Sequence, residues 1–425
     1  MVIKLNRFMK KILILFLLTG LYTGCNVDSS QTIHYSVNEP VFTSSETFRH
    51  SIQITSRPHE LENLGKICFH KDYLYISEPG KGIYIIDNTD PSHPQHKGYI
   101  EIPGHQESII WDNRLYADAL VDLVWFDLSN PSQPALQGRI ENVFPDALPP
   151  IENEFGYDYE LCRKGIEQNK IVTGWQLTER NQQNYYSNNA EYATPSPTLS
   201  QGTFPNQTNR QNVSKSRFSL YEHYLYTVIN YQMNIIDLSG EKPEKTSEKI
   251  YIGNVENIFP YCDKLFMGMP MGLVIYSLED PIHPVFCSQI AYIYGCNPIA
   301  VDRDLAYVSI HSGSLCGQNV NRLVIFDISD IKHPLEMASY AMNYPKGVSI
   351  DNGLLFLCDT GLKVFKTGNP QTFIADQLAY YPKIDGSNLI FFNHIMMLIS
   401  DNGLYQYDYS DAGNIRLLSV IPISK

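Results

Sequence analysis

Acidic residues stand at equivalent places along this chain, where carboxylates could act together as a general acid and base. Asp87, Asp127, Asp237 and Asp327 each follow an apolar run. Paired carboxylates of this kind carry out hydrolysis of polymers such as polysaccharides. Each of the four, however, also precedes a turn sequence, where an aspartate side chain commonly accepts hydrogen bonds from the turn. The pattern therefore favours turn capping over catalysis.

Histidines and cysteines are the other residues that could support chemistry. The 12 histidines include no His-x-x-x-His pair with an acidic neighbour, and the 8 cysteines include no Cys-x-x-Cys, so neither follows a metal-site spacing. His93, His283 and His333 each precede the second proline of a turn, which predicts a shared turn role. The chain has no Gly-x-Ser-x-Gly elbow and no phosphate-binding glycine loop. We therefore expect no catalytic residue, no metal ligand and no cofactor.

The N-terminal residues predict export from the cytoplasm. Four basic residues precede the apolar run 12–18, and small residues then lead to Gly24-Cys25. This order is typical of a signal peptide, here residues 1–24, because the apolar run is too short to span a bilayer. The cysteine after the predicted cleavage site is similar to that of a bacterial lipoprotein, which predicts lipidation of Cys25. The alternative is an ordinary secretory peptide with a coincidental cysteine.

The rest of the chain is predicted to be a body held to the cell envelope by this lipid anchor, most plausibly at the outer membrane. Residues 25–40 are polar and aperiodic, and we interpret them as a tether. Removal of four basic residues with the signal peptide lowers the formal net charge from −13 to −17. Nucleic acids and anionic headgroups are recognised by clustered Lys and Arg. We therefore expect no nucleic-acid partner and no contact with the membrane beyond the anchor.

Two cysteines are candidates for a disulfide bond in such an oxidising compartment. Cys296 and Cys316 flank turn-rich loops on either side of the predicted strand pair 304–309. A bond between them would close a loop of about twenty residues and stabilise the fold by about 3 kcal/mol. Two free thiols are the alternative. Four further cysteines lie in or beside strand patterns and are predicted to be small buried apolar residues: Cys68, Cys262, Cys287 and Cys358.

A repeated phrase of roughly forty residues predicts the elements that position these side chains. It contains Leu-Tyr, then Gly-Leu or Gly-Ile, three apolar residues, Asp and a Pro-x-x-Pro turn; residues 74–94 are a clear copy. A fixed period in this range indicates one supersecondary unit used repeatedly. Each copy reads as four short strands, which predicts an all-β fold, a β-propeller over residues 41–425. Seven blades are favoured, and a degenerate copy over 141–175 leaves eight open. Ring closure is expected to place residues 48–56 beside the strand 417–421.

One segment interrupts the repeat. Residues 178–215 are rich in Asn, Gln, Ser, Thr and Pro and have almost no aliphatic side chains. Such a composition cannot bury enough surface to order the chain, so we predict a disordered insertion. A functional loop is the alternative.

The phrase resembles the LVIVD repeat of bacterial secreted propellers. Residues 295–337 and 401–423 are particularly similar to a group of Bacteroidetes lipoproteins, and the resemblance runs from about residue 65 to the end, more weakly over 146–216. It implies a cell-envelope propeller. It implies no catalytic residues, because none is established for the family.

Two functions follow as hypotheses. The first is a noncatalytic binding or scaffold module whose partner is a protein or a glycan, since a ring of loops forms a rigid recognition face. Loop tyrosines would serve stacking on a glycan: Tyr185, Tyr186, Tyr192, Tyr292 and Tyr294. The alternative is an extracytoplasmic hydrolase or lyase acting on a polysaccharide or other polymer. Carboxylates that lie together with perturbed pKa values would favour the enzyme.

Overall fold

Seven antiparallel sheets follow one another along the chain and form the blades of a ring. The structure is a computed structural model, and it describes residues 32–56, 60–151, 153–183, 217–229, 231–253, 255–269, 272–291, 298–312 and 320–424. The predicted all-β propeller is confirmed, with seven blades rather than eight. Across these ranges, no helix is long and apolar enough to cross a membrane.

The first half of the chain contains an N-terminal segment, two blades and an excursion between blades 2 and 3. The N-terminal elements are β1 (Thr32–Ser44), α1 (Ser45–Arg49) and β2 (Gln53–Thr55). Blade 1 has β3 (Ile67–His70), β4 (Tyr73–Glu78), β5 (Gly82–Asp87) and β6 (Gln95–Glu101). Blade 2 has β7 (Ser108–Trp111), β8 (Arg114–Ala119), β9 (Asp122–Asp127) and β10 (Ala135–Ile140). The excursion has α2 (Tyr159–Glu167) and β11 (Lys170–Gln183).

The second half contains five further blades. Blade 3 has β12 (Phe218–Tyr221), β13 (Tyr224–Ile229), β14 (Gln232–Asp237) and β15 (Glu244–Tyr251). Blade 4 has β16 (Asn257–Tyr261), β17 (Lys264–Met269), β18 (Gly272–Ser277) and β19 (Val285–Ala291). Blade 5 has β20 (Ile299–Asp302), β21 (Leu305–Ile310), β22 (Arg322–Asp327) and β23 (Leu335–Ala341). Blade 6 has β24 (Pro345–Asp351), β25 (Leu354–Asp359), β26 (Leu362–Lys366), a 3₁₀ turn (Phe373–Asp376) and β27 (Gln377–Tyr381). Blade 7 has β28 (Asn388–Phe392), β29 (Ile395–Ser400), β30 (Gly403–Asp408) and β31 (Arg416–Pro422).

Each blade is a simple meander whose first strand lies nearest the ring axis. The first strands of neighbouring blades contact one another, as β3 contacts β7 and β24 contacts β28. The second and third strands are almost wholly buried, whereas the fourth strands expose alternate side chains. This gradient explains the apolar middle strands of the repeat, because both of their faces pack against neighbouring blades.

The Leu-Tyr position of the repeat joins one blade to the next. Tyr75 of blade 1 is fully buried, and its hydroxyl donates to the carbonyl oxygen of Pro131 in blade 2 at 2.7 Å. Tyr226 of blade 3 donates to the carbonyl oxygen of Pro281 in blade 4 at 2.6 Å. In these two blades the tyrosine provides packing and a hydrogen bond that satisfies its buried hydroxyl. These tyrosines therefore have structural roles.

The degenerate copy over 141–175 is not a blade. Its apolar residues Val143 and Phe144 are buried in the cluster between blades 2 and 3. The chain then leaves the ring to form α2 and β11, and β11 pairs with β1 over its whole length. We call this module, residues 32–49 and 153–183, the flap.

The flap overturns parts of two predictions. Residues 32–40 of the predicted tether lie in β1, and residues 178–183 of the predicted disordered insertion lie in β11. Each polar strand was missed because its hydrogen-bonding partner is more than one hundred residues away: Val37, for example, pairs with Thr178. Residues 25–31 and 184–215 lie outside the described residues.

The predicted mode of ring closure is also wrong. The short strand β2, within residues 48–56, pairs with the outer strand β6 of blade 1 and not with β31. Blades 7 and 1 meet instead through side chains, with Asn88 and Gln406 exchanging two hydrogen bonds of 2.9 and 2.8 Å. The Ser424 backbone N–H also donates to Leu61 at 2.7 Å. Among the described residues, no strand is shared across this seam.

Candidate functional site

The meander gives the ring two different ends. Turns between the first and second strands and between the third and fourth strands lie at one end, which we call the turn face. Turns between the second and third strands and the connections from blade to blade lie at the other end, the insertion face. The flap belongs to the long connection between blades 2 and 3, so the insertion face carries the largest departure from the repeat.

The aspartates and histidines of the repeat lie on the turn face and cap its turns. Asp87 accepts hydrogen bonds from the backbone N–H of Thr89 at 3.1 Å and from its hydroxyl at 2.7 Å. These bonds lower the pKa of Asp87, chiefly through the hydroxyl. His93 lies 2.8 Å from a second turn aspartate, Asp90. The equivalent pairs are formed by His283 and His333. The predicted capping and turn roles are confirmed.

Carboxylates on the insertion face hold the connections between blades. Asp118, near the end of β8, accepts hydrogen bonds from the backbone N–H groups of Gln106 and Glu107 at 2.8 and 2.9 Å. Asp359, at the end of β25, accepts from Asn343 at 3.2 Å and from Tyr344. Both side chains are buried, and a buried carboxylate is tolerated when donors surround it. They fix the path by which the chain enters its next inner strand.

Glu107 lies on the insertion face, near the ring axis, where the inner strands of blades 1 to 3 begin. Its two oxygens accept hydrogen bonds from the backbone N–H groups of Arg217 and Phe218 at 2.6 and 2.8 Å. The ammonium group of Lys66 lies 3.6 Å from the same carboxylate and donates to the Phe218 carbonyl oxygen at 2.5 Å. Burial raises the pKa of Glu107, and the nearby Lys66 opposes the shift. We call Lys66, Glu107 and Arg217 the mouth cluster.

Beside this cluster, side-chain contacts join a serine to a histidine and the histidine to an aspartate, which is the order of a hydrolase triad. His105 lies 3.0 Å from the Ser77 hydroxyl through Nε2 and 2.9 Å from the Asp118 carboxylate through Nδ1. Ser77 and His105 have no exposed surface, and the Ser77 hydroxyl also lies 3.0 Å from that of Ser108. A nucleophile must reach its substrate. The array is therefore a buried hydrogen-bonded network between blades 1 and 2.

The flap packs on blade 2 through an ion pair that sequence reasoning did not find. Asp122 is fully buried. Its carboxylate accepts hydrogen bonds from the guanidinium groups of Arg49 at 3.0 Å and Arg139 at 2.6 Å. Asp122 also accepts from the Asn142 backbone N–H at 2.8 Å, while Arg49 lies 2.7 Å from Glu141. The hydrogen bond to Asp122 is the main reason that the pKa of Arg49 is raised.

A polar cleft of about 420 Å³ opens between the flap and blade 2. Positively and negatively charged side chains line it, and all of the lining residues are polar or charged. Glu46 and His50 are exposed at its edge. The cleft is lined by Glu46, Arg49, His50, Arg139, Glu141 and Asn169. Such a site suits a polar ligand or the polar rim of a protein interface.

One sequence signal did point to the flap contact. In three blades a glycine begins the third strand, as Gly82 does in β5, but in blade 2 this residue is Asp122. Its carboxylate holds Arg49 of the flap and Arg139 of the outer strand of blade 2. Arg49 is 73 residues distant from Asp122 and Glu107 is 111 from Phe218, so local patterns could not have joined them.

The three residues predicted to be covalently modified, Cys25, Cys296 and Cys316, lie outside the described residues, so lipidation and the disulfide remain predictions. The five loop tyrosines proposed for stacking lie outside them as well. Of the cysteines predicted to be small buried residues, Cys68 and Cys358 are buried. The prediction is wrong for Cys262, which is exposed, and Cys287 is half-buried.

Comparisons with known proteins identify the repeat. The LVIVD repeat family matches residues 66–101, 116–142 and 299–342. These segments correspond to blade 1, most of blade 2 and blade 5. The chain therefore contains LVIVD repeats, and a repeat corresponds to one blade of the propeller. No curated protein matches the chain.

The solved structures whose backbones are similar to this chain share little sequence identity with it. The computationally designed protein Ika8 has 9% identity and a TM-score of 0.48, and the match covers 87% of this chain and 90% of Ika8. BamB from Moraxella catarrhalis has 7% identity and a TM-score of 0.45, with 88% and 97% covered. Hsv2 from Kluyvelomyces marxianus has 9% identity and a TM-score of 0.45, with 85% and 98% covered.

Proposed function

We propose that this protein is a noncatalytic binding or scaffold module of the cell envelope and that its insertion face binds a protein or a glycan. The flap is the observation that supports this function. It adds two long strands and two helices to one end of blade 2 and creates a polar cleft that the repeat itself does not provide. A rigid ring with an added loop module is a common design for recognition.

The arrangement of the buried carboxylates favours binding over catalysis. The backbone N–H of Glu107 donates to Asp118, and the raised pKa of Glu107 favours the alternative, a propeller hydrolase or lyase acting on a polymer. Both oxygens of Glu107 already accept backbone N–H groups, and Asp118 accepts two more. A general acid or base needs an oxygen directed at the substrate. These carboxylates are directed at the chain itself.

A photo-crosslinking experiment tests the binding function. We would place a photoreactive residue at position 46, irradiate cells, and identify crosslinked proteins by mass spectrometry, with a glycan array of the purified protein in parallel. The double variant Glu46→Lys/His50→Ala should lose at least about tenfold in affinity for the ligand identified. The control variant Glu336→Lys/His333→Ala changes exposed residues of the same types on blade 5 and should retain it.

Two results would contradict the proposal. Equal loss in both variants would show that the cleft is not the binding surface. Turnover of an envelope polysaccharide that is abolished by Glu107→Gln would establish the enzyme instead.

We also propose that Cys25 carries the lipid anchor and that the folded body is extracytoplasmic, as in the Bacteroidetes lipoproteins that the sequence resembles. The basic start, the short apolar run and the Gly24-Cys25 junction support this localisation. The Cys25→Ala variant should appear in the soluble periplasmic fraction. Continued partitioning of that variant with membranes would refute lipid anchoring.

A further inference from the structure

The outer strand of blade 4, β19, is the longest of the outer strands that contain no charged residue, with seven residues against the five of β27 in blade 6. Among the described residues its only paired strand is β18, so one row of its backbone N–H and C=O groups faces outward. None of its seven residues is charged, and Val285 and Phe286 are 63% and 54% exposed. Long, uncharged, apolar edges of this kind pair readily with another strand, and proteins usually protect them.

Other blades of this ring show such protection. In blade 1 the edge strand β6 is covered by β2, which pairs with it in antiparallel register from Gln53↔Glu101 to Thr55↔Tyr99. In blade 3 the edge strand β15 is rich in Glu and Lys. Blade 4 has neither a covering strand nor a charged residue in the edge strand. The chain therefore contains one example of an added outer strand, and β19 presents an edge of the same length as β6 for the same addition.

We propose that β19 binds an extended segment of another polypeptide, which adds to blade 4 as a fifth, antiparallel strand. The covering strand of blade 1 shows the form of the occupant, since Gln53-Ile54-Thr55 is short, uncharged and extended. Backbone hydrogen bonds would supply affinity, and alternate apolar side chains would pack on Val285 and Phe286.

Acidic residues near one end of β19 indicate which end of the bound segment is positively charged. The turn that leads into β19 presents the exposed acidic residues Glu279 and Asp280. In an antiparallel pair the C-terminal end of the segment lies beside the N-terminal end of β19. The partner segment is therefore uncharged along its length, with Lys or Arg at its C-terminal end.

A second copy of this chain is a weaker candidate for the same edge. Two edge strands of seven residues bury far less than the roughly 1,200 Å² of a stable interface. An extended peptide needs only the edge itself. This proposal concerns the perimeter of the ring and does not depend on binding at the insertion face.

The test uses a fluorescent nine-residue peptide that alternates threonine and valine and ends in two lysines. Binding would be measured by fluorescence anisotropy, and its location by hydrogen exchange. We expect slower exchange in residues 285–291. Val285→Lys should weaken binding at least about tenfold, because the new charge lies beside the lysines of the peptide. Leu335→Lys is the matched control: Leu335 begins the outer strand of blade 5, is also 63% exposed, and should bind as the wild type does.

Each other outcome overturns the proposal. Equal loss in the two variants, or protection of another edge, would move the site away from blade 4. If hydrogen exchange in residues 285–291 became slower as the protein concentration rose, with no peptide present, a second copy of the chain would be the occupant. Absence of binding at millimolar peptide would show that the edge is closed to added strands.

Discussion

At the scale of single residues, hydrogen bonding decides which polar groups the core of the protein tolerates. His105 is the clearest case, because it is fully buried and lies within hydrogen-bonding distance of Ser77 on one side and Asp118 on the other. The same three residue types would be read as catalytic if geometry alone were considered. Burial makes them a link between two blades.

We expect His105→Ala to lower the free energy of unfolding by about 2–4 kcal/mol, because it leaves a cavity and removes a hydrogen-bonding partner from both Ser77 and Asp118. Urea unfolding followed by tryptophan fluorescence measures this loss. His333→Ala, on the exposed turn face, should stay within about 0.5 kcal/mol of the wild type. An equally small effect of His105→Ala would mean that the network contributes nothing to stability.

The turn aspartates predict a loss of stability in acid. Ser410 donates twice to Asp408 and Arg416 lies 2.6 Å from it, which lowers the pKa of Asp408 to about 2. An aspartate with a lowered pKa stabilises the fold above its unfolded pKa, near 4, and loses this effect as pH falls toward 2. Thermal melting from pH 7 to pH 2 should therefore show a smaller drop over this range for Asp408→Asn than for the wild type. An identical acid limb in both proteins would contradict the assignment.

At the scale of elements, the glycine of the repeated phrase is required by the way the third and fourth strands meet. Gly403 begins β30 with φ of +145°, and a Cβ at this position would lie 2.3 Å from the carbonyl oxygen of Ile421 in β31. Gly272 in blade 4 meets Ile290 in the same way, at 2.1 Å. The Gly-Leu part of the repeat therefore reflects a close backbone approach in the blades that carry this glycine.

Gly403→Ala should destabilise the protein by at least about 2 kcal/mol, since a backbone carbonyl must move and the backbone conformation is strained. Gly156→Ala is the control, because a Cβ there meets no atom within 4 Å. Melting temperatures of the two purified variants measure the difference. Similar melting temperatures would show that the two strands separate at little cost.

The elements also show where sequence reasoning succeeded and where it could not. Blade strands were predictable because each blade folds from contiguous residues and repeats one apolar pattern, so seven copies support one interpretation. The flap was not, because β1 and β11 are polar strands whose pairing joins Thr32 to Gln183. The mouth cluster was missed for the same reason, since Lys66, Glu107 and Arg217 come together only after the ring has formed.

At the scale of the whole molecule, the seam between blades 7 and 1 holds the ring closed. Gln406 has no exposed surface, and its side-chain amide accepts a hydrogen bond from Asn88 through its oxygen and donates one to Asn88 through its nitrogen. The hydroxyl of Ser419 adds a hydrogen bond of 2.6 Å to the carbonyl oxygen of Pro91. Packing and a few polar bonds therefore do here what a shared strand would otherwise do.

Gln406→Ala should lower the free energy of unfolding by about 1–3 kcal/mol, because the Asn88 amide loses its buried partner. A double-mutant cycle with Asn88→Ala should give a coupling energy of at least about 0.5 kcal/mol. Gln289→Ala, at an exposed position of β19, serves as the control. Strict additivity of the two seam substitutions would show that the pair does not hold the ring together.

Closure without a shared strand among the described residues also determines the order in which the parts of this ring can form. Each blade is one continuous stretch, so a chain emerging from its N-terminal end can complete blades 1 to 6 in order, each built on the one before. Blade 7 has to fit between two surfaces that already exist, and the bond from Ser424 to Leu61 forms only after its last strand is in place. Until blade 7 has folded, the apolar sides of the first and the latest blade both face water. The folding of blade 7 is therefore the step at which the molecule first becomes a ring.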